Sequence, residues 1–186
     1  MFMLKNVRIS YPSLFKPSAF GDEPPKYSAT FLIEKGSEMH KALKAEILRV
    51  ATDAFGEKAK DILVRQDAGQ RKLLKDGDTA DGLTQEGEPK TGWAGHVAIK
   101  ASSKLPPKVV NRKREPVSEE DGIPYGGCYV NAQIDIWAQD NKFGRFINCK
   151  LLAVQFWADG EAFGSARADI DAFDAAEDDM DQASGW

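Results

Sequence analysis

The sequence predicts a mainly β domain with one helical insertion and an acidic C-terminal extension. Five runs of residues alternate between apolar and polar side chains, the period of two that half-buried strands require. One segment after residue 37 has the three-to-four spacing of an amphipathic helix. The last 19 residues contain acids but no Lys or Arg, a composition that cannot bury enough surface to fold alone. We therefore expect residues 1–167 to form one body and residues 168–186 a disordered tail.

The first two predicted strands are Leu4–Ser10 and Tyr27–Glu34. In the second strand the apolar residues alternate from Tyr27 to Ile33, which places them on one face. The segment between the two strands is interrupted by four prolines: Pro12, Pro17, Pro24 and Pro25. Proline restricts the backbone and removes a hydrogen-bond donor, so this segment is predicted to be a loop.

Residues 38–66 are predicted to be a helical insert. Ser37 can cap a helix over Glu38–Phe55, because its apolar residues recur at three and four positions and Gly56 follows the last turn. A second, shorter helix is predicted over residues 57–66. The sequence then predicts a long loop over residues 67–92, rich in Gly, Asp and Lys. Such long loops are uncommon in compact domains and are usually functional or disordered.

The remaining predicted strands are Trp93–Ala101, Cys128–Ala138 and Arg145–Trp157. The last two form a hairpin, since Gly144 occupies a turn position between them. Residues 102–127 form a second long loop that is basic in its first half and acidic in its second. The run over residues 152–157 is apolar on both faces of the strand, which predicts that it is fully buried.

The composition argues for a binding protein and against an enzyme. Hydrophobic content of 42% and aromatic content of 10% are typical of one soluble globular domain. Cys128 and Cys149 lack the spacing of zinc ligands, and only two His are present. Phosphate-binding, dinucleotide-binding and nucleophile-elbow motifs are absent from the sequence. We therefore expect no enzymatic activity, no metal and no cofactor, and we find no secretory or membrane-spanning pattern.

The acidic tail carries charge opposite to that of the body. Its acids and terminal aromatic residue are Asp169, Asp171, Asp174, Glu177, Asp178, Asp179, Asp181 and Trp186. Seven of the 29 acidic residues lie there, so residues 1–167 retain 22 acids against 25 basic residues. A tethered acidic tail competes for a cationic groove at an effective concentration of about 1 mM. Trp186 is typical of an anchor that enters a partner's pocket, although a purely solubilising terminus is the alternative.

The outer face of the final hairpin, together with the basic loop, has the residues that single-stranded nucleic acid requires. Aromatic rings stack on bases, for about 1–3 kcal/mol each, and Lys and Arg neutralise phosphates. The candidate contacts on the hairpin are Tyr129, Asn131, Gln133, Trp137, Arg145, Phe146 and Lys150. The candidate contacts in the loop are Lys104, Lys108, Arg112, Lys113 and Arg114. The alternative is that the rings pack under loops and that the cations form an ordinary solvated surface.

Three stretches resemble a known family. They are LKNVRISYPSLF (residues 4–15), YSATFLIEK (27–35) and IPYGGCYVNAQIDIWAQDNKFGRFINCKLLAVQFWADGEAFG (123–164). Together with the acidic, aromatic-ended tail they are similar to single-stranded DNA-binding proteins of tailed bacteriophages, especially the enterobacterial-phage branch. The resemblance implies an OB-fold-like five-stranded barrel that carries the 38–66 insert. It also implies non-specific binding of single-stranded DNA (ssDNA) in replication and recombination in the host-cell cytoplasm. The tail would recruit phage or host replication or recombination proteins.

Two other functions fit the same residues. The chain could be an interaction protein or DNA-mimic inhibitor that acts through the acidic tail, with a body that does not bind DNA. It could also be a strand-annealing recombination protein. A gel shift with ssDNA at low salt separates the first alternative from ssDNA binding. A homodimer, in which one tail docks in the twin subunit's groove, is compatible with the sequence, and no membrane contact is expected.

Overall fold

The computed structural model describes residues 1–19 and 21–164. Its strands are β1 (Phe2–Ser18), β2 (Lys26–Glu34), β3 (Leu74–Asp76), β4 (His96–Ser103), β5 (Lys108–Val110), β6 (Tyr129–Asn141) and β7 (Gly144–Ala158). Its helices are α1 (Glu38–Phe55) and α2 (Ala59–Ala68), and three single turns of 3₁₀ helix lie in the connections. None of the helices within the described residues is long and apolar enough to span a membrane.

Five of the strands close into a barrel. The strand order is β3-β4-β2-β1-β6-β7-β5, and β4 also pairs with β7, in parallel, where Ser102 meets Lys150. This additional pairing joins the two ends of the β4-β2-β1-β6-β7 series. The predicted fold class is therefore confirmed: a mainly β, five-stranded OB-like barrel with a helical insert.

The barrel interior contains the apolar residues that the period-two patterns predicted. Alternate residues of every barrel strand point inward and are fully buried, among them Leu4, Ile9, Phe31, Ile33, Ile99, Val130, Ile134, Ile147 and Leu151. Helix α1 covers this core with the stripe Leu43, Ile47 and Ala51. Its predicted cap is confirmed, because the Ser37 side chain accepts a hydrogen bond from the backbone N–H of His40. Cys128 and Cys149 are buried free thiols.

The edge of β7 that faces away from β6 is covered by three different elements. Strand β4 pairs with it at Lys150, and β5 runs parallel to it from Ala153 to Gln155. Near the start of the strand, a side chain of α2 replaces a neighbouring strand. The Gln66 side-chain amide donates to the carbonyl of Ile147 at 2.8 Å and accepts from its N–H at 2.8 Å. Gln66 is only 6% exposed, so this pair of bonds is shielded from water.

Some predicted strand boundaries and loops were wrong. Strand β1 continues through Pro12 and Pro17 to Ser18, because beyond its contact with β6 it pairs only with β2 and therefore has an edge that needs no donor. Strand β4 begins at His96 instead of Trp93. The predicted 67–92 and 102–127 loops contain the three-residue strands β3 and β5, which are too short to show a period.

Residues 77–95 fold over the outside of the barrel. Trp93 is buried there against Leu32 and Ala98, with Phe163 packed beside them. The segment can close because Gly77 and Trp93 approach each other backbone to backbone. A Cβ at Gly77 would overlap the Trp93 carbonyl group.

We expect Gly77→Ala to destabilise the protein by about 2 kcal/mol, because the extra methyl group forces this segment away from the barrel. Chemical denaturation followed by circular dichroism measures the change. Gly69→Ala is the matched control, since a Cβ there would make only ordinary contacts with backbone oxygens. Equal stabilities for the two variants would contradict the proposed crowding at Gly77.

Candidate nucleic-acid interface

The outer face of β6 and β7 brings together most of the hairpin residues predicted from the sequence. Cross-strand pairs place Asp135 opposite Lys150, Trp137 opposite Asn148 and Gln139 opposite Phe146. The outward residues of β6 are at least partly exposed, and Trp137 is 42% exposed. Gln133, Trp137 and Lys150 have no hydrogen bond or ion pair to another side chain of residues 1–19 and 21–164. They are free to contact a ligand.

Other predicted residues of this face are engaged within the protein. The Arg8 guanidinium lies 5.7 Å from the Tyr129 ring centroid, and Arg71 lies 4.2 Å from that of Phe146. Asn131 accepts from the backbone N–H of Asn6 at 2.9 Å and donates to Gln155 at 3.0 Å. Arg145 forms an ion pair with Asp140 at 3.1 Å near the hairpin turn. A position on the face therefore does not by itself make a residue available to DNA.

The basic segment between β4 and β6 contains an ordered hairpin rather than only a loop. Val110 bridges to Pro116, and β5 pairs in parallel with β7. The hairpin tip carries three of the predicted cations, Arg112, Lys113 and Arg114, while Lys108 begins β5 and Lys104 follows β4. All five side chains are exposed, and none forms an ion pair within the described part of the chain. Because β5 borders β7, the hairpin lies beside the β6–β7 face.

The prediction that residues 152–157 are fully buried is wrong: only Val154 is buried, and Trp157 departs from the prediction most. Its side chain is 37% exposed, and Arg112 lies 5.0 Å from its ring centroid. The β6–β7 register shifts here, since Tyr129 pairs with Ala158 whereas Val130 pairs with Phe156. Trp157 is the extra residue at this bulge and turns outward. A bulge interrupts the period of two, so the sequence pattern contained no signal for this exposed ring.

A second group of aromatic and basic residues lies on the outer side of β1, β2 and β4, and the sequence analysis missed it. Tyr11 is 61% exposed and meets Trp93 edge to face, with ring centroids 6.5 Å apart. The Lys90 ammonium lies 4.3 Å from the Trp93 ring centroid. Burial and the charge of nearby Lys75 lower the pKa of Lys90. Lys100 is exposed on β4. In OB-folds the face of the second and third barrel strands, here β2 and β4, binds oligonucleotides.

The two surfaces meet where the barrel closes. Ser102 on β4 pairs with Lys150 on β7, so Lys100 and Lys150 lie on adjoining strands. The carboxylate of Asp135, opposite Lys150, is bound by the N-terminal amine at 3.1 Å. That pairing balances the negative charge at this point and leaves the two lysines as uncompensated positive charge.

The residues that precede the acidic tail pack against the outer side of the barrel, beside Trp93. The Arg8 guanidinium lies 4.3 Å from the Phe163 ring centroid and donates to the carbonyls of Gly127 and Glu161 at 3.0 and 2.6 Å. The backbone N–H of Phe163 donates to Gly126 at 2.8 Å. The predicted tail residues lie outside the described residues: Asp169, Asp171, Asp174, Glu177, Asp178, Asp179, Asp181 and Trp186.

Comparisons with known proteins show the family of this chain. A family model described as the ssDNA-binding protein of Enterobacter phage Enc34 matches residues 1–183. "Putative protein p50" of Acyrthosiphon pisum secondary endosymbiont phage 1 is 35% identical over 176 residues, which cover 92% of this chain and 91% of that protein.

Two solved structures are also similar. The ssDNA-binding protein of bacteriophage Enc34 in complex with ssDNA has a TM-score of 0.67 at 32% identity, over 87% of this chain and 88% of that one. The ssDNA-binding protein gp2.5 of bacteriophage T7 has a TM-score of 0.54 at 16% identity, over 98% of both chains. The second comparison supports only the shared fold.

Proposed function

Because the chain belongs to the family of the Enterobacter phage Enc34 ssDNA-binding protein, we propose that it binds single-stranded DNA without sequence specificity. Its role is to protect ssDNA during phage replication or recombination in the host-cell cytoplasm, as a binding protein rather than an enzyme. The observation that supports this most strongly is the outer surface that carries the exposed rings of Tyr11 and Trp137 together with Lys100 and Lys150, neither of which forms an ion pair within the described residues.

We propose that the DNA crosses the barrel from the β2–β4 side to the β6–β7 side. Bases stack on the exposed rings of Tyr11 and Trp137, and phosphates contact Lys100 and Lys150 between them. Every base has a π face, so stacking tolerates any sequence, while the lysines contact the backbone that all sequences share. Gln133 supplies an amide at the edge of this path.

The phosphate contacts predict a specific salt dependence. For single strands the logarithm of the affinity falls by about 0.7 per logarithm of salt for each phosphate contact. The double variant Lys100→Ala/Lys150→Ala should therefore reduce the slope by about 1.4, which titration of fluorescent oligo-dT at several salt concentrations measures. Lys41→Ala/Lys60→Ala removes the same charge from α1 and α2 and should leave the slope unchanged. Parallel lines for the first variant and the wild type would exclude these two lysines as phosphate contacts.

We also propose that the acidic tail competes with DNA for this surface and recruits replication or recombination proteins. The opposite charges of the tail and the body support the first role, and the terminal Trp186 supports the second. If the full-length protein leaves oligo-dT unbound at low salt, the interaction-protein alternative replaces ssDNA binding.

A further inference from the structure

We propose that Trp157 and Arg112 form a base-stacking subsite for ssDNA at the C-terminal end of β7. This inference rests on the proposed ssDNA binding and adds one specific contact to it. Trp157 projects outward from the bulge in β7 and is 37% exposed. An exposed ring with a cation over it combines the stacking surface and the positive charge that single-stranded DNA requires. Lys108 and Lys113 extend the positive charge on the same hairpin.

The position of Arg112 beside Trp157 is fixed by hydrogen-bonded neighbours. The Gln155 side-chain amide donates to the carbonyls of Asn111 and Arg112 at 3.4 and 3.3 Å, which holds the hairpin tip against β7. Gln155 accepts in turn from Asn131 at 3.0 Å. Asn131 therefore helps to position the hairpin, and the direct DNA contact that its place on the face predicted stays a prediction.

The hairpin tip is also fixed by its own turn. The Asn111 side-chain oxygen accepts from the N–H groups of Lys113 and Glu115, at 2.8 and 3.1 Å. Its side-chain nitrogen donates to the Glu115 carboxylate at 2.7 Å. Glu115, the acid that follows these cations in the chain, is thus bound to an amide, and the cations form no ion pair with any described residue. A tip that is already ordered loses little conformational entropy when it binds a ligand.

The chemistry of the pair suits one nucleotide of an unpaired strand. The Arg112 guanidinium stacks on one side of the indole, 5.0 Å from its centroid, and has no hydrogen-bond acceptor in the described part of the chain. Its N–H groups can therefore donate to a phosphate in a bidentate manner while the ring stacks on the attached base. A lysine at residue 112 would supply the charge but neither the planar stack nor the bidentate donors.

Substitution of the two residues in the full-length chain tests this subsite. We expect Trp157→Ala to weaken binding of fluorescent oligo-dT about 5- to 50-fold, within the range of one lost base stack. Trp157→Phe keeps an aromatic ring and should recover most of that affinity. Arg112→Ala should weaken binding severalfold, and Arg112→Lys should restore only part of it. Val64→Ala, at a 67% exposed position on α2, is the control and should bind as the wild type does.

Two further readouts separate a direct contact from a structural effect. The losses from Trp157→Ala and Arg112→Ala should not multiply in the double variant, because the two side chains serve one nucleotide. The quenching of tryptophan fluorescence by oligo-dT should decrease in Trp157→Phe, although that variant binds well. Arg112 is exposed, so its substitution decides the matter even if Trp157→Ala fails to fold.

The possible failures are distinguishable. If the wild type binds oligo-dT and Arg112→Ala and Trp157→Phe match it in affinity and quenching, the subsite does not exist and the proposed function stands. If the wild type does not bind, the proposed function and this inference are both wrong.

Discussion

Deletion of residues 168–186 is expected to tighten ssDNA binding about 10- to 100-fold at low salt. An attached acidic tail acts at an effective concentration of about 1 mM. If the tail binds the cationic surface with a dissociation constant of about 10–100 µM, within the range typical of non-specific electrostatic binding, its removal gives this factor. Titration of oligo-dT with the full-length and truncated proteins measures the change. The difference should shrink as salt is added, because both the tail and the DNA bind through charge.

The control for this deletion keeps the tail but changes its charge or its tip. Neutralising the seven tail acids to Asn or Gln should reproduce the tighter binding of the truncated protein. Trp186→Ala should leave DNA binding unchanged and weaken contact with replication or recombination proteins. A truncated protein that binds oligo-dT no more tightly than the full chain would rule out competition by the tail.

Gln66→Ala is expected to lower the free energy of unfolding by about 2–4 kcal/mol, a large effect for a single polar residue. The substitution leaves the N–H and the carbonyl of Ile147 without partners at a buried strand edge. Each unsatisfied buried group costs about 1–3 kcal/mol. It also removes the bond from Gln66 to the carbonyl of Arg71, at 3.0 Å.

Urea denaturation followed by circular dichroism measures this loss. Gln70→Ala, at an exposed position four residues along the chain, should change the stability by less than about 0.5 kcal/mol. Gln66→Glu keeps the length of the side chain, but its ionised form cannot donate to the Ile147 carbonyl and its neutral form must take up a proton, so at pH 7 the variant should also be destabilised by several kcal/mol, roughly as much as Gln66→Ala. If Gln66→Ala is as stable as the wild type, the N–H and the carbonyl of Ile147 must find other hydrogen-bond partners, such as water, and the proposed role of Gln66 is wrong.

The elements that depend on local periodicity could be predicted from the sequence, and the elements that depend on distant contacts could not. Strand β2 and helix α1 agree with the predicted Tyr27–Glu34 and Glu38–Phe55 to within one residue, since burial on one face imposes a visible pattern. Strands β3 and β5 exist because β4 and β7 offer them a free edge. Nothing within their own three residues indicates that pairing.

In the candidate site, too, local periodicity was predictable from the sequence and distant contacts were not. The alternation along β6 correctly predicted that Trp137 faces outward. It gave no information about which residues of that face are already bound, so the Asn131 network and the Arg71–Phe146 contact appear only in the structure. Tyr11 and Trp93 are 82 positions apart in the chain and come together only because residues 77–95 fold over the barrel.

The pairing of β1 with β6 has a consequence for how the protein is made. Asn6 and Asn131, which are hydrogen-bonded, are separated by 125 positions in the chain. During synthesis at about 5–20 residues per second, β1 therefore waits many seconds before its second neighbour leaves the ribosome. Until then its apolar residues are open to other nascent chains. Because such distant pairings fold slowly, we expect barrel closure, rather than helix formation, to limit the folding rate.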